Sequence, residues 1–168
     1  MDTPEYVPGH GLLTNRIVVV TAAAGAGIGF AVAKRAVEEG ATVVISDIHK
    51  RRLNEAADEL AELAGDRPIC HVCDVRDEAQ VQGLLRAALD AHGCIDVMVN
   101  NAGLGGDTPL VDMTDEEWDR VLDVTLTGSM RCTRAAMRIM GTQGHGVIVN
   151  NASVLGWRAQ AGQSHYAA

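Results

Sequence analysis

Short apolar stretches alternate with longer amphipathic stretches along most of the chain. The apolar stretches are five or six residues long and rich in β-branched residues, which is typical of strands buried on both faces. The longer stretches carry apolar residues at helical spacing, and several precede a glycine, a common end signal of helices. The predicted strands are 17–21, Thr42–Asp47, 69–74, 95–100 and 147–152, and the predicted helices are 27–39, Lys50–Ala64, Glu78–His92 and 114–140, with a further helix beginning near Ser164.

This alternation predicts an α/β fold with a parallel sheet covered by helices on both faces. Right-handed crossovers leave few topologies, and the doubly wound, Rossmann-like order 3-2-1-4-5 fits best. Such a sheet binds ligands at the carboxyl ends of its strands, between strands one and four. We predict a short leader over residues 1–16 and a nucleotide-binding domain over 17–168.

Composition narrows the classes of function. With 168 residues, 47% of them hydrophobic, the chain has enough apolar material for the core of one domain. Its formal net charge of -8, with no basic block, argues against binding to nucleic acids or anionic membranes. Neither a spanning stretch nor a signal-peptide pattern is present, so a cytoplasmic location is expected.

Cys70 and Cys73 have the CxxC spacing that can indicate zinc or redox chemistry. No second pair of ligands lies nearby, whereas a zinc site usually needs four. An extended strand also directs its first and fourth side chains to opposite faces. We therefore interpret both cysteines as small buried hydrophobic residues and predict no metal site.

A glycine-rich turn links the first predicted strand to the first helix. It runs from Thr21 through three alanines to Gly25, Gly27, Ile28 and Gly29. Glycines allow close approach of a pyrophosphate, and the helix start offers unpaired N–H groups. A tight loop without a ligand is the alternative, but the preceding strand and following helix favour phosphate binding.

Asp47 ends the second predicted strand, eighteen residues after Gly29. A carboxylate at this place can accept both hydrogen bonds of an adenosine ribose and repels a 2′-phosphate, which favours NAD over NADP. The cations in 49–52 follow closely, and we interpret them as solvent-facing residues rather than phosphate ligands.

Ser153 and Tyr166 follow the fifth predicted strand, thirteen residues apart. When hydride reduces a carbonyl, negative charge develops on its oxygen. A serine can hold that oxygen by a hydrogen bond, and a tyrosine can donate a proton to it.

Together, these residues resemble the short-chain dehydrogenase/reductase family. The resemblance rests on the turn from Thr21 to Gly29, the string 100–103 (Asn-Asn-Ala-Gly), and the pair Ser153 and Tyr166, and it runs from about residue 11 to 168. It implies an oxidoreductase that transfers hydride between NAD(P) and an alcohol/ketone pair. It also implies a small-molecule substrate and a homodimer or homotetramer.

The resemblance assigns further roles. It implies that Asp74 receives the adenine amino group and the Val75 amide completes that contact. It also implies that Asn101, Ala102 and Gly103 line the adenosine side of the cofactor.

The chain departs from the family pattern in two places. The alignment places Thr125 where the family usually has an asparagine that orients a proton relay. Thr125 therefore puts the usual relay in question.

The second departure concerns the lysine of the family's Tyr-x-x-x-Lys motif, which would fall at position 170. A free tyrosine has a pKa of about 10, and a nearby ammonium lowers the pKa of a phenol. Read literally, the sequence is an incomplete domain, truncated after the active-site tyrosine.

Two alternatives therefore stand beside an enzyme. One is a non-catalytic nucleotide-binding fragment; the other is a remnant that does not fold. The strings 9–13 and 150–157 look most like actinobacterial members that act on acyl-CoA intermediates of sterol breakdown, and the related 3-oxoacyl reductases act on acyl thioesters. Trp157 and Arg158 could line a substrate mouth, although a solvated loop is equally consistent with the sequence.

Overall fold

A five-stranded parallel sheet forms the centre of the computed structural model, which describes residues 4–168. Its strand order is β3-β2-β1-β4-β5, as predicted. All five predicted strands are present, and four of them end or begin one or two residues inside the predicted bounds. The strands are β1 (Ile17–Val20), β2 (Thr42–Asp47), β3 (Ile69–Val72), β4 (Val97–Asn100) and β5 (Val147–Asn150).

Helices cover both faces of this sheet. They are α1 (Ile28–Glu38), α2 (Lys50–Ala64), α3 (Glu78–His92), α4 (Asp115–Leu122), α5 (Gly128–Gln143) and the short α6 (Ser164–Ala167). As predicted, α2 and α3 are followed directly by Gly65 and Gly93.

The single helix predicted over 114–140 is wrong. A π-helical turn, Asp123–Thr127, separates α4 from α5, and α5 continues to Gln143. A π turn adds only one residue to one turn, so the hydrophobic period does not reveal it. The predicted capping box at the start is confirmed: the Glu117 amide donates to the Thr114 hydroxyl, and the Glu117 carboxylate accepts from the Thr114 amide.

Alternate residues of each strand enter two separate cores. Val19 packs with α3 and α5, whereas Val18 and Val20 pack with α1 and α2. This is the period of two expected of a strand that is buried on both faces. The two cores fix the strands rigidly, so the loops at their carboxyl ends are held in defined places.

The leader is attached to the end of α1. The backbone amides of His10 and Leu12 donate to the buried Glu39 carboxylate at 2.8 and 3.1 Å. Hydrogen bonds from Leu12 and His10 hold the pKa of Glu39 below its usual value. The first three residues of the predicted leader lie outside the described part of the chain. Among residues 4–168, no helix is both long and apolar enough to cross a membrane.

Candidate functional site

The glycine-rich turn lies between β1 and α1, at the carboxyl edge of the sheet. Gly25 has a φ of 77°, in the left-handed region that favours glycine. Gly27 begins α1, and no described side chain caps the helix there. The first amides of α1 are thus left to an outside acceptor, at an exposed helix start with a positive dipole end.

Gly29 lets α1 approach the end of β1. A Cβ at this position would overlap the Ala22 carbonyl oxygen and the amide nitrogen of the Asn101 side chain. By contrast, a Cβ on Gly25 or Gly27 would meet nothing within 4 Å. The turn is therefore closely packed on its inner side and open on its outer side.

Thr21 connects this turn to the end of β4. Its buried hydroxyl accepts from the amides of Asn101 at 2.9 Å and Ala102 at 3.1 Å. The side-chain amide of Asn101 donates in return to the carbonyl oxygens of Thr21 and Ala22, both at 3.2 Å. The ends of strands one and four are thus fixed side by side, where the fold predicts a ligand.

A cleft of about 310 Å³ opens at this edge, and we call it the sheet-edge cleft. It brings together five of the residues that the sequence predicts: Asp47, Asp74, Val75, Ala102 and Gly103. Periodicity and motifs did not identify the other residues of its lining, which include Ile48, Arg76, Leu104 and Arg120.

Asp47 lies at the floor of the sheet-edge cleft and is almost fully buried. One carboxylate oxygen accepts from the His49 amide at 2.9 Å, and the other accepts from the Ala24 amide at 3.4 Å. These bonds fix the carboxylate between the glycine-rich turn and the start of α2. Each oxygen keeps a lone pair for a hydroxyl that enters the cleft.

Asp74 is held by Arg76. Nε of Arg76 lies 3.0 Å from both carboxylate oxygens, and Nη2 lies 2.6 Å from one of them. These hydrogen bonds hold the pKa of Asp74 below its usual value. An adenine amino group could therefore reach this carboxylate only by sharing oxygens that Arg76 already uses.

Thr125 lies in the π turn and is bonded to the loop that follows β4. Its hydroxyl accepts from the Leu104 amide at 3.1 Å and donates to the Leu104 carbonyl at 3.2 Å. The predicted site residue is therefore used to hold the loop beside Gly103. π turns of this kind recur at functional sites.

Ser153 and Tyr166 follow β5 and lie outside the lining of the sheet-edge cleft. The Ser153 hydroxyl oxygen accepts from the Leu155 amide at 3.1 Å and so begins the short turn 154–156. Tyr166 is half-buried in α6, which packs against that turn and against α4. The two segments are therefore neighbours, on the β5 side of the glycine-rich turn.

The two cysteines at the end of β3 differ in burial. Burial raises the pKa of the Cys73 thiol to about 12, which makes it unreactive at neutral pH. Cys70 is partly buried beside Arg67.

Asn151 is a residue of this edge that sequence reasoning missed. Its side-chain amide donates to the Asn101 side-chain oxygen at 2.8 Å. The available signal was a repeated dipeptide, since Asn-Asn occurs both at 100–101 and at 150–151. Because Asn100 pairs with Asn150 in the sheet, the two dipeptides lie in register.

Comparison with known proteins gives a consistent result. The profile of the short chain dehydrogenase family matches residues 16–168. A (5R,7aS)-5-hydroxy-7a-methyl-1-oxo-2,3,5,6,7,7a-hexahydro-1H-indene-carboxyl-CoA reductase of Mycobacterium tuberculosis is 61% identical over 166 residues. That alignment covers 98% of this chain and 63% of the relative, so the chain spans less than two thirds of the relative's length.

Two solved structures have the same arrangement of strands and helices. A short chain dehydrogenase from Mycobacterium smegmatis superposes with a TM-score of 0.94 at 60% identity, over 99% of this chain and 70% of the other. An NAD+-bound xylitol dehydrogenase superposes with a TM-score of 0.87 at 33% identity, over 92% of this chain and 59% of the other.

Proposed function

Because the chain belongs to the short-chain dehydrogenase family, we propose that the protein transfers hydride between a nicotinamide cofactor and an alcohol/ketone pair. The observation that carries this proposal is the arrangement at one edge of the sheet. An uncapped helix start, a ribose-type carboxylate and a serine–tyrosine pair all follow the carboxyl ends of neighbouring strands.

The residues present fit an adenine dinucleotide. The open outer side of the turn at Gly25 and Gly27 leaves room for a pyrophosphate against the free amides of α1. Asp47 would accept from the adenosine ribose, and Val75, Ala102 and Gly103 would line the adenosine. The bound cofactor would supply or accept the hydride.

Ser153 and Tyr166 would act on the substrate oxygen. The Ser153 hydroxyl accepts from the Leu155 amide, so its own proton is free to donate to a carbonyl oxygen. Tyr166 would donate the proton that turns the reduced carbonyl into an alcohol, and take it back in the reverse reaction. Thr125 would act by holding the loop beside Gly103, since its hydroxyl is bonded to Leu104.

We propose NAD as the cofactor, with NADP less favoured. The support is the buried Asp47 carboxylate at the floor of the cleft, which would lie against a 2′-phosphate. In Asp47→Ser, we expect the NADH dissociation constant to rise by about tenfold or more, because a charge-assisted hydrogen bond is lost. The preference for NADH over NADPH should fall with it. Asp66→Ser, an exposed aspartate outside the cleft, is the matched control. Equal affinities of the unmodified protein for NADH and NADPH would contradict this role.

The proposed substrate is a hydroxyacyl/oxoacyl or sterol-derived CoA thioester. The support is the mycobacterial relative, whose name gives a CoA ester of a bicyclic ketone as its substrate class. Trp157 and Arg158, both exposed beside the turn 154–156, could meet the adenine and a phosphate of CoA. Replacing Trp157 with Ala should raise KM for an acyl-CoA more than for the same acyl group on a short pantetheine thioester. An equal rise for both substrates would exclude this contact.

We also propose a homodimer or homotetramer in the cytoplasm, on the family resemblance alone. Light scattering on the natural protein would test the assembly, since a monomer across micromolar concentrations would contradict it.

The test of the main proposal uses the two tyrosines of the chain. Tyr166→Phe should lower kcat by roughly 10²–10⁴-fold while NADH still binds. Tyr6→Phe removes a hydroxyl bonded to Glu38 near the end of α1 and should leave kcat unchanged. Turnover that survives Tyr166→Phe would refute the assigned chemistry. NADH binding without any turnover would favour the non-catalytic nucleotide-binding alternative.

A further inference from the structure

Four asparagines form a ladder across the ends of β4 and β5, and we call it the asparagine ladder. Its members are Asn100, Asn101, Asn150 and Asn151. Asn100 donates to the Asn150 side-chain oxygen at 2.7 Å and to the Thr133 hydroxyl at 2.9 Å. Asn151 donates to the Asn101 side-chain oxygen at 2.8 Å. The two pairs lie one above the other because β4 and β5 are parallel and in register.

The second pair of the ladder has a fixed direction of donation. Both protons of the Asn101 side-chain amide are directed to the carbonyl oxygens of Thr21 and Ala22. Its oxygen can therefore only accept, and Asn151 must donate. Rotating the Asn101 amide to suit an acceptor at position 151 would break both bonds to the glycine-rich turn.

This chain of bonds joins the two halves of the site. It runs from the glycine-rich turn through Asn101 to Asn151, which lies two residues before Ser153. The backbone continues the connection, because the Asn151 amide donates to the Asn100 carbonyl at 2.9 Å. Beyond this point the Ser153 segment is exposed, so few other contacts hold it.

We infer that Asn151 is a positioning residue. Through Asn101 it fixes the Ser153 segment to the glycine-rich turn, so that the serine hydroxyl stands at a constant distance from the cofactor. The inference rests on the proposed function for its effect on catalysis. The underlying geometry can be measured without cofactor or substrate.

The first measurement is amide hydrogen exchange at Leu155 in the intact protein. This amide donates to the Ser153 hydroxyl oxygen and so reports where that oxygen lies. We expect Asn151→Ala to speed exchange at Leu155 by about fivefold or more, as local opening becomes easier. Asn151→Asp should speed it further, although aspartate has the same shape, because it places acceptor against acceptor at Asn101. A role in filling space would predict the opposite order.

Gln160→Ala is the matched control. Gln160 is exposed, follows Ser153 in the same loop, and its side chain has no hydrogen bond within residues 4–168. Exchange at Leu155 should be unchanged in this variant. Unchanged exchange in both Asn151 variants would overturn the inference.

The second measurement is the division between binding and turnover. Asn151→Ala should lower kcat by about tenfold or more, because a small misplacement of a positioned group is costly. The NADH dissociation constant should stay within about threefold, since the bonds from Asn101 to Thr21 and Ala22 remain. A loss confined to NADH affinity would overturn the inference. If the unmodified protein shows no turnover, the proposed function fails, and the exchange at Leu155 still decides the role of Asn151.

Discussion

At the scale of single residues, the glycine-rich turn separates two uses of glycine. Gly29 is buried and allows the backbone of α1 to lie against the Ala22 carbonyl and the Asn101 amide. Gly27 is exposed, with an ordinary φ of -87° and open space where a side chain would stand. The first serves the packing of the protein itself, and the second leaves room for what the turn binds.

Alanine substitutions should separate these uses. Gly29→Ala should lower the free energy of unfolding by about 1–3 kcal/mol, because its Cβ overlaps backbone and a fixed amide. Gly27→Ala should change it by less than about 0.5 kcal/mol but should weaken NADH binding, since the methyl group occupies open space. Urea denaturation and NADH titration of both variants test this. Equal stability of the two variants would contradict it.

At the scale of elements, the segment from α4 to α5 shows what periodicity can and cannot predict. The start of α4 was predictable, because Thr114 and Glu117 form a local motif with a direct mechanical consequence. The π turn was not, since it arises from contacts between distant segments. Thr125 is bonded to Leu104, and buried Gly128 lies against Val75. The same distinction applies at the site: Asp47 follows from its place on β2, whereas the clamp of Arg76 on Asp74 depends on the conformation of a loop.

The cap of α4 makes a measurable contribution to stability. In Thr114→Ala the Glu117 amide loses its acceptor, and we expect a loss of about 1 kcal/mol, or roughly 2–4 °C in Tm. Thr142→Ala is the control, because that hydroxyl donates only to the Arg138 carbonyl within α5. Its change should stay within about 0.5 kcal/mol. Thermal melts of both variants suffice, and a larger loss in Thr142→Ala would count against the cap.

The π turn should depend on the Thr125 hydroxyl. Thr125→Val keeps the shape but removes both bonds to Leu104, so we expect a loss of about 1–3 kcal/mol. Exchange of the Leu104 amide should become faster. Thr127→Val is the matched control, since Thr127 lies in the same turn and its hydroxyl has no hydrogen bond within residues 4–168. The prediction is wrong if both variants leave Leu104 exchange unaltered.

At the scale of the whole molecule, the fold was more predictable than the site. Val18, Val19 and Val20 are apolar on both faces, and that pattern alone indicates a buried parallel strand. The strand order then follows from general rules of handedness. The distances within the site do not, because they are fixed by side-chain pairs such as Asn101 and Asn151 that no local pattern encodes.

Buried carboxylates connect the fold to pH. Burial alone would raise the pKa of Asp96, but hydrogen bonds from the Ile17 amide and the Arg16 guanidinium outweigh it and hold the pKa below its usual value. Glu39 and Asp74 are also held below theirs. The folded protein therefore binds fewer protons than the unfolded chain at low pH. The stability these groups give is complete above their unfolded pKa of about 4 and is lost as pH falls through the folded values.

The urea midpoint should accordingly be level from pH 7 to about 5 and fall below about pH 4. Asp96→Asn keeps an acceptor but loses the charge that faces Arg16 and lies 3.6 Å from His145. We expect it to cost about 1–3 kcal/mol at pH 7, because hydrogen bonds to a charged group are weakened. Its loss of stability between pH 5 and 3 should be shallower than that of the unmodified protein, since one shifted carboxyl is gone. The exposed Asp66→Asn should leave both the midpoint and the slope unchanged. An unchanged slope in Asp96→Asn would mean that other carboxylates dominate the acid transition.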